Sequence, residues 1–326
     1  MKNMKDGVAV ITGGGSGLGK AMAEEAARRG MRVVIADVQA DTMNAAVEEL
    51  RKNGAEAIGV LTDVTSAASV EALAETVEKQ FGLVNLMFNN AGVALAGPIW
   101  ESTEKDWKWM LAVNVEGVAN GVRSFTPRML AAAAAAPGYE GCIVNTASMA
   151  GLVTAPGMGV YSVSNHAVIA ISELLYHDLD LVGSQVKTAV LCPSYVTTNI
   201  GQCYRTRPSG LANGNGPTKS QLAIQAISAK DLANGSLTAA EVARLTFEAI
   251  AQGQFYIYPT PELLPIVKNR LSHIADGDDR KIQPPQFSGR GIGRGRSGRA
   301  HASADHVGAN NEIALGVDRL AGADEG

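Results

Sequence analysis

The feature that most constrains this chain is a change of rhythm repeated from residue 8 to about residue 260. Short, nearly continuous runs of Val, Ile and Leu alternate with Ala- and Glu-rich stretches of helical length. The apolar runs are VAVIT (8–12), RVVIAD (32–37), AIGVLTDV (57–64), VNLMFNNAG (84–92), CIVNTAS (142–148) and VKTAVLCP (186–193). Between them the pattern predicts helices over 18–29, up to residue 51, around 69–80, over 103–130 and over 162–182. A strand with no polar alternation is buried on both faces, which is the mark of a parallel sheet covered by helices on each side. The expected fold is therefore α/β, a doubly wound parallel sheet of six or seven strands in a single Rossmann-type domain over 1–275.

Two segments depart from this rhythm. Residues 199–237 are rich in Gly, Asn, Ser and Thr, and so long an irregular stretch after the sixth strand reads as a substrate lid or as a surface insertion. From residue 276 the chain carries GRGIGRGRSGR and then small polar residues without periodicity, which predicts a disordered extension. An RNA-binding reading of that segment lacks interleaved aromatics. The alanines at 131–136, before Pro137, read as a helix end.

Composition narrows the function. A formal net charge of −4 over 326 residues argues against nucleic acid or an anionic membrane surface as the main partner. Three widely spaced cysteines, Cys142, Cys192 and Cys203, make a disulfide framework improbable and suggest a reducing cytoplasm. No apolar run is long enough to span a membrane. The scattered histidines offer no metal-ligand spacing, so no metal is expected.

The first strand runs into Thr12-Gly13-Gly14-Gly15-Ser16-Gly17-Leu18-Gly19 and then a helix. Glycines serve a sharp turn at 13, approach of backbone to a pyrophosphate at 17 and close helix–strand packing at 19. The helix N-terminus offers free N–H groups to phosphates. Eighteen residues beyond Gly19, Asp37 ends the second strand, where a carboxylate accepts hydrogen bonds from ribose hydroxyls and repels a 2′-phosphate. Val38 and Gln39 follow it rather than arginine, so the pattern predicts NAD(H) over NADP(H).

With these motifs in order, the chain resembles the short-chain dehydrogenase/reductase family. Thr12, Gly13, Gly17 and Gly19 match TGxxxGxG, and Asn89-Asn90-Ala91-Gly92 matches NNAG. Asn114, Ser148 and Tyr161 match the family's asparagine, serine and tyrosine, and Pro193-Ser194-Tyr195-Val196-Thr197-Thr198 is similar to PGxVxT, with serine for glycine at 194. The likeness covers about residues 6–265. It implies that Ser16 and Leu18 join the three glycines at the cofactor, that Asp63 and Val64 flank the adenine, and that Asn90, Ala91 and Gly92 line its middle. Pro193, Val196 and Thr198 would hold the nicotinamide end. Tyr161 would exchange a proton with the substrate oxygen, Ser148 would orient that oxygen, and Asn114 would support a proton relay. A homodimer or homotetramer is expected on the same ground.

One position breaks the resemblance: Asn165 stands where the family has the lysine of YxxxK. It shares a helix face with Tyr161 at i, i+4 and carries no charge. A unit charge at about 4 Å in an effective dielectric near 20 is worth roughly 4 kcal/mol. Up to about three units of tyrosine activation are therefore at stake. His166 falls about 100° further round the helix and points elsewhere.

Two functions stay open: an NAD(H)-linked alcohol dehydrogenase or ketoreductase slowed by Asn165, and a cofactor-binding protein that turns over little. By their motif offsets Val93, Leu95, Met149, Val153, Met158 and Tyr195 are expected beside the nicotinamide. Their apolar character suggests a bulky hydrophobic alcohol or ketone. Arg205 and Arg207 either meet a carboxylate on such a substrate or are solvated lid residues.

Overall fold

The computed structural model describes residue 1 and residues 4–277; the 278–326 segment, with its Arg-Gly run, lies outside the described residues. Seven parallel strands form one sheet in the order β3-β2-β1-β4-β5-β6-β9. They are β1 Val8–Thr12, β2 Arg32–Asp37, β3 Ala57–Leu61, β4 Leu86–Asn89, β5 Gly141–Thr146, β6 Val186–Leu191 and β9 Tyr256–Ile257. A separate two-stranded ribbon pairs β7 Val196–Thr197 with β8 Leu237–Thr238. The helices are α1 Gly17–Arg28, α2 Ala40–Lys52, α3 Ala67–Phe81, α4 Glu104–Leu111, α5 Gly117–Ala135, α6 Gly159–Leu181, α7 Lys219–Ala233, α8 Ala239–Gln252 and α9 Leu264–Asp276.

Successive strand residues face opposite sides, and both sides of this sheet are covered. Ala9, Ile11, Val33 and Ile35 point into a layer with Met22 and Ala26 of α1, Val47 and Leu50 of α2, and Phe247 and Ile250 of α8. Val8, Val10 and Val34 point the other way, onto Val70 and Leu73 of α3, Phe125 and Met129 of α5, and Leu175 and Leu179 of α6. Each buried Val, Leu, Ile, Phe or Met among them contributes about 1.5–3 kcal/mol, which is why these runs carry no polar alternation. The strand order reverses around β1, whose neighbours are β2 and β4. A cleft therefore opens at the carboxyl ends of β1 and β4.

Three expectations are corrected in detail. The third strand stops at Leu61 rather than 64. Asp63 Oδ1 accepts from the N–H and hydroxyl of Thr65, and this local turn competes with the ladder. The helix expected over 103–130 is α4, a π-helical turn over Ala112–Glu116, and α5. Residues 199–237 are not irregular: they form 3-10 turns at Asn199–Thr206 and Ser209–Leu211, and then the 15-residue α7. A capping box between Thr218 and Gln221 starts that helix.

Candidate functional site

At the end of β1, Thr12 ties two strands together. Its buried Oγ1 accepts from the N–H groups of Asn90 (2.9 Å) and Ala91 (3.1 Å) and donates to the Phe88 carbonyl. Asn90 Nδ2 returns a bond to the Thr12 carbonyl at 3.0 Å. Asn90 to Gly92 are thus drawn against the glycine turn. Gly17 has φ of +53°, and a Cβ there would face Thr198 Cβ across the cleft at 3.4 Å. A Cβ on Gly19 would lie 2.2 Å from the Gly13 carbonyl oxygen, so only glycine lets the helix approach the turn this closely. Ser16 occupies the N-cap of α1 but makes no side-chain bond to it. The first N–H groups of α1 are left for an anion at the cleft, as a pyrophosphate requires.

Asp37 does more than the sequence suggested. Its Oδ2 accepts from the Gly15 N–H at 2.9 Å and its Oδ1 from the Gln39 N–H at 3.0 Å. The carboxylate fixes the glycine turn and keeps further lone pairs toward the cleft. Asp63 and Val64 line the same end, and Val64 is held through its carbonyl by Asn120 Nδ2 at 2.8 Å.

The helical pair α4 and α5 positions Asn114 inside the π turn. Its Oδ1 accepts from the Val93 N–H at 2.8 Å, and its Nδ2 donates to the Val93 carbonyl (2.9 Å) and to Ser164 Oγ (3.0 Å). The buried amide therefore holds the cavity wall at Val93 and the helix that carries Tyr161. Ser148 leaves the end of β5; its Oγ accepts from the Ala150 N–H (3.2 Å) and donates to the Pro193 carbonyl (3.3 Å). Burial pushes the Tyr161 phenol up, while hydrogen bonding to Ser148 and Asn165 pulls it back part of the way. Asn165 Nδ2 also donates to the Tyr161 backbone carbonyl at 2.9 Å. One of its two N–H groups is therefore spent on its own helix. His166 is bonded through Nδ1 to the Ser162 carbonyl and does not line the cleft.

These residues share one cavity of about 990 Å³, at the upper end of the usual range for ligand sites. It runs from the glycine turn, past Ser148, Tyr161 and Asn165, to an apolar end that includes Val93, Leu95, Met149, Met158 and Tyr195. Pro193, Val196 and Thr198 line it as well. Val153 does not: it closes the short turn after Ser148 and packs in the core against Val168 and Ile169, a correction to its expected place. Arg207 is a second correction. Its Nη1 pairs with Asp106 Oδ1 at 2.6 Å, its guanidinium stacks over Trp109 at 5.0 Å, and its Nε donates to the Leu211 carbonyl. Burial pulls the Asp106 carboxyl up, but hydrogen bonds from Thr103, Arg207 and Asn213 outweigh it and hold it below the usual carboxylate range.

Two cavity residues escaped the sequence reading. Cys203 Sγ accepts from the Ala94 N–H and donates to the Ala94 carbonyl, clipping the 199–206 turn to the wall. Trp109 lies beneath it, fully buried, in a cluster with Val93, Met110 and Val160. No motif announces either one. Among the described residues no group of three or more His, Cys, Asp or Glu side chains is placed to hold a metal ion. No helix among them is long and apolar enough to cross a membrane.

A family model described as short chain dehydrogenase matches residues 7–208, and the chain belongs to that family. Among its relatives is a CLA biosynthesis dehydrogenase/reductase of Lactiplantibacillus plantarum, 32% identical over 277 residues, spanning 84% of this chain and 95% of that protein. A C alpha-dehydrogenase of Sphingobium sp. is 31% identical over 277 residues, spanning 85% and 88%. A short chain dehydrogenase/reductase from Burkholderia phymatum, solved in complex with NAD, is 46% identical, with a TM-score of 0.84 over 87% of this chain and 99% of that one.

Proposed function

We propose that this protein is an NAD(H)-linked oxidoreductase acting on a bulky hydrophobic secondary alcohol or ketone, with Tyr161 as its proton-transfer group. The observation that carries the reading is that Ser148, Tyr161 and Asn165 line one cavity, between an uncapped helix N-terminus and an apolar pocket end. When bound, the nicotinamide supplies or accepts the hydride. The chain's own groups do the rest. Ser148 Oγ orients the substrate oxygen, the Tyr161 phenol gives or takes its proton, and Asn114 keeps α6 and the Val93 wall in register. Pro193, Val196 and Thr198 bound the nicotinamide end, and Asp63 and Val64 the adenine end.

Asp37 supports NAD(H) over NADP(H): a 2′-phosphate there would meet that carboxylate. The NAD complex of the Burkholderia phymatum relative supports the same choice. Because burial raises the Tyr161 phenol and Asn165 brings no charge, the neutral phenol persists through the physiological range. It can then act as an acid in carbonyl reduction, whereas oxidation needs the phenolate and should rise into alkaline pH.

Matched assays of wild type and Asn165→Lys test this, using aryl and alicyclic alcohols and ketones across pH with Tyr161→Phe as the control. The lysine variant should gain oxidation near neutrality, with its alkaline inflection moved down by up to about three units. Tyr161→Phe should lose about 10²–10⁴ in turnover. A second reading, an NAD(H)-binding sensor or non-catalytic subunit, is favoured by the bond of Asn165 to its own helix. It takes over if both tyrosine-containing proteins bind NADH and neither exceeds the phenylalanine control at any pH.

A further inference from the structure

We propose that Arg205 anchors an anionic group on the far end of the substrate, so that the preferred substrate is an amphipathic hydroxy or oxo acid rather than a neutral alcohol. The proposal rests on the reading of this cavity as a dehydrogenase site and specifies which molecules it takes. Three of the residues lining the cavity are charged: Asp37, Asp63 and Arg205. Asp37 ends β2 and Asp63 follows β3, both at the adenine end, so an anion entering there is repelled. The single cation belongs to the opposite wall.

Its position along that wall follows from the 3-10 turn Asn199–Thr206. Such a helix advances about 2 Å per residue, which carries Arg205 about 14 Å beyond Thr198, the residue that faces Gly17. Three residues per turn also place Asn199, Gln202 and Arg205 on one face; all three are exposed and all three line the cavity. Two residues earlier, Cys203 turns inward and packs in the cluster that contains Tyr161 and Val93. Arg205 therefore lines the cavity on the wall that Cys203 fastens, away from the glycine turn that Thr198 faces.

The neighbouring arginine makes the contrast. Arg207 is nearly buried and wholly engaged by Asp106, Trp109 and Leu211. Among the described residues no hydrogen bond or ion pair engages the Arg205 guanidinium. Its planar fork of donors matches a carboxylate in two-point geometry, and among the described residues no other side chain lining the cavity is cationic.

Calorimetry on the full-length chain saturated with NAD⁺, where a ketone binds without reacting, provides the test. The probes are 4-acetylbenzoate and its homologues with one and two methylenes before the carboxylate, each beside its methyl ester. At one of these lengths the acid should bind wild type at least about tenfold more tightly than the ester, the size of one charge-assisted hydrogen bond. Arg205→Gln should abolish that preference, Arg205→Lys should retain part of it, and NAD⁺ affinity should stay unchanged in both. The proposal is overturned by equal binding of acid and ester at every length, by an equal loss of both in Arg205→Gln, or by weakened NAD⁺ binding in that variant. In the last case the cation serves the cofactor's diphosphate. Acid preference without turnover of the matching hydroxy acids would leave the anchor standing and remove the oxidoreductase reading. Turnover of neutral alcohols without acid preference would do the reverse.

Discussion

The glycine turn and the 199–233 segment that faces it across the cleft are held in place by different kinds of bond. The turn is fixed mostly through backbone: Thr12 collects the Asn90 and Ala91 N–H groups, Asp37 collects those of Gly15 and Gln39, and Gly19 admits a contact no side chain would allow. The opposite wall is fastened by side chains at a few points far apart in sequence. Arg207 grips Asp106 and Trp109, Cys203 clips Ala94, and Thr218 and Ser220 donate to Glu101. A wall of the first kind keeps its shape while its surface residues vary. A wall of the second kind can be retuned by changing one clasp, which suits the side we propose to meet the substrate.

Breaking the largest clasp should separate the two walls most clearly. Arg207→Ala leaves Asp106 buried without its cation, at a cost of about 3–5 kcal/mol. Chemical denaturation should register that loss, while NADH affinity of the folded fraction stays close to wild type. Gly19→Ala should do the opposite: overpacking against the Gly13 carbonyl costs about 1–3 kcal/mol and also weakens NADH binding, seen as a raised Kd by fluorescence. If Gly19→Ala leaves that Kd alone, the turn is not the cofactor's cradle.

Alkaline pH sharpens the comparison from a third side, because it acts on the sheet between the walls. Burial pushes the Cys142 thiol up to about 12 from an ordinary 9.0, and it pushes Cys192 in the same direction. Raised values mean that the folded state favours the neutral thiols. Their contribution is complete below pH 9 and is lost as pH rises toward 12. The melting temperature should be flat near neutrality and fall above pH 9, and Cys142→Ala should flatten part of that fall.

The same contrast explains what could be read from the chain. The turn was legible because its determinants are contiguous: Gly13, Gly17 and Gly19 lie between a strand and a helix, and Asp37 ends the next strand. Asn165 was legible because it sits four residues from Tyr161. Arg207 was not, since the partner that buries it is 101 residues away. Helix α7 carried a local signal in Thr218 and Gln221, but Gly, Asn and Ser around it dominated the reading. Val153 was assigned by offset from Ser148, and offset cannot tell which side of a short turn faces the core.

The π turn at Ala112–Glu116 has a consequence for the phase of the long helix it interrupts. The Gly117 N–H reaches the Ala112 carbonyl, five residues back, so one extra residue is stored there and the faces of α5 are advanced by about 100° relative to α4. That offset lets one continuous rod serve two masters: Trp109 and Met110 meet the cavity cluster upstream while Phe125 and Met129 meet the sheet downstream. Deleting a single residue between 112 and 116 would bring the rod back into step with itself. It would also swing either Asn114 off Val93 or Phe125 off the sheet.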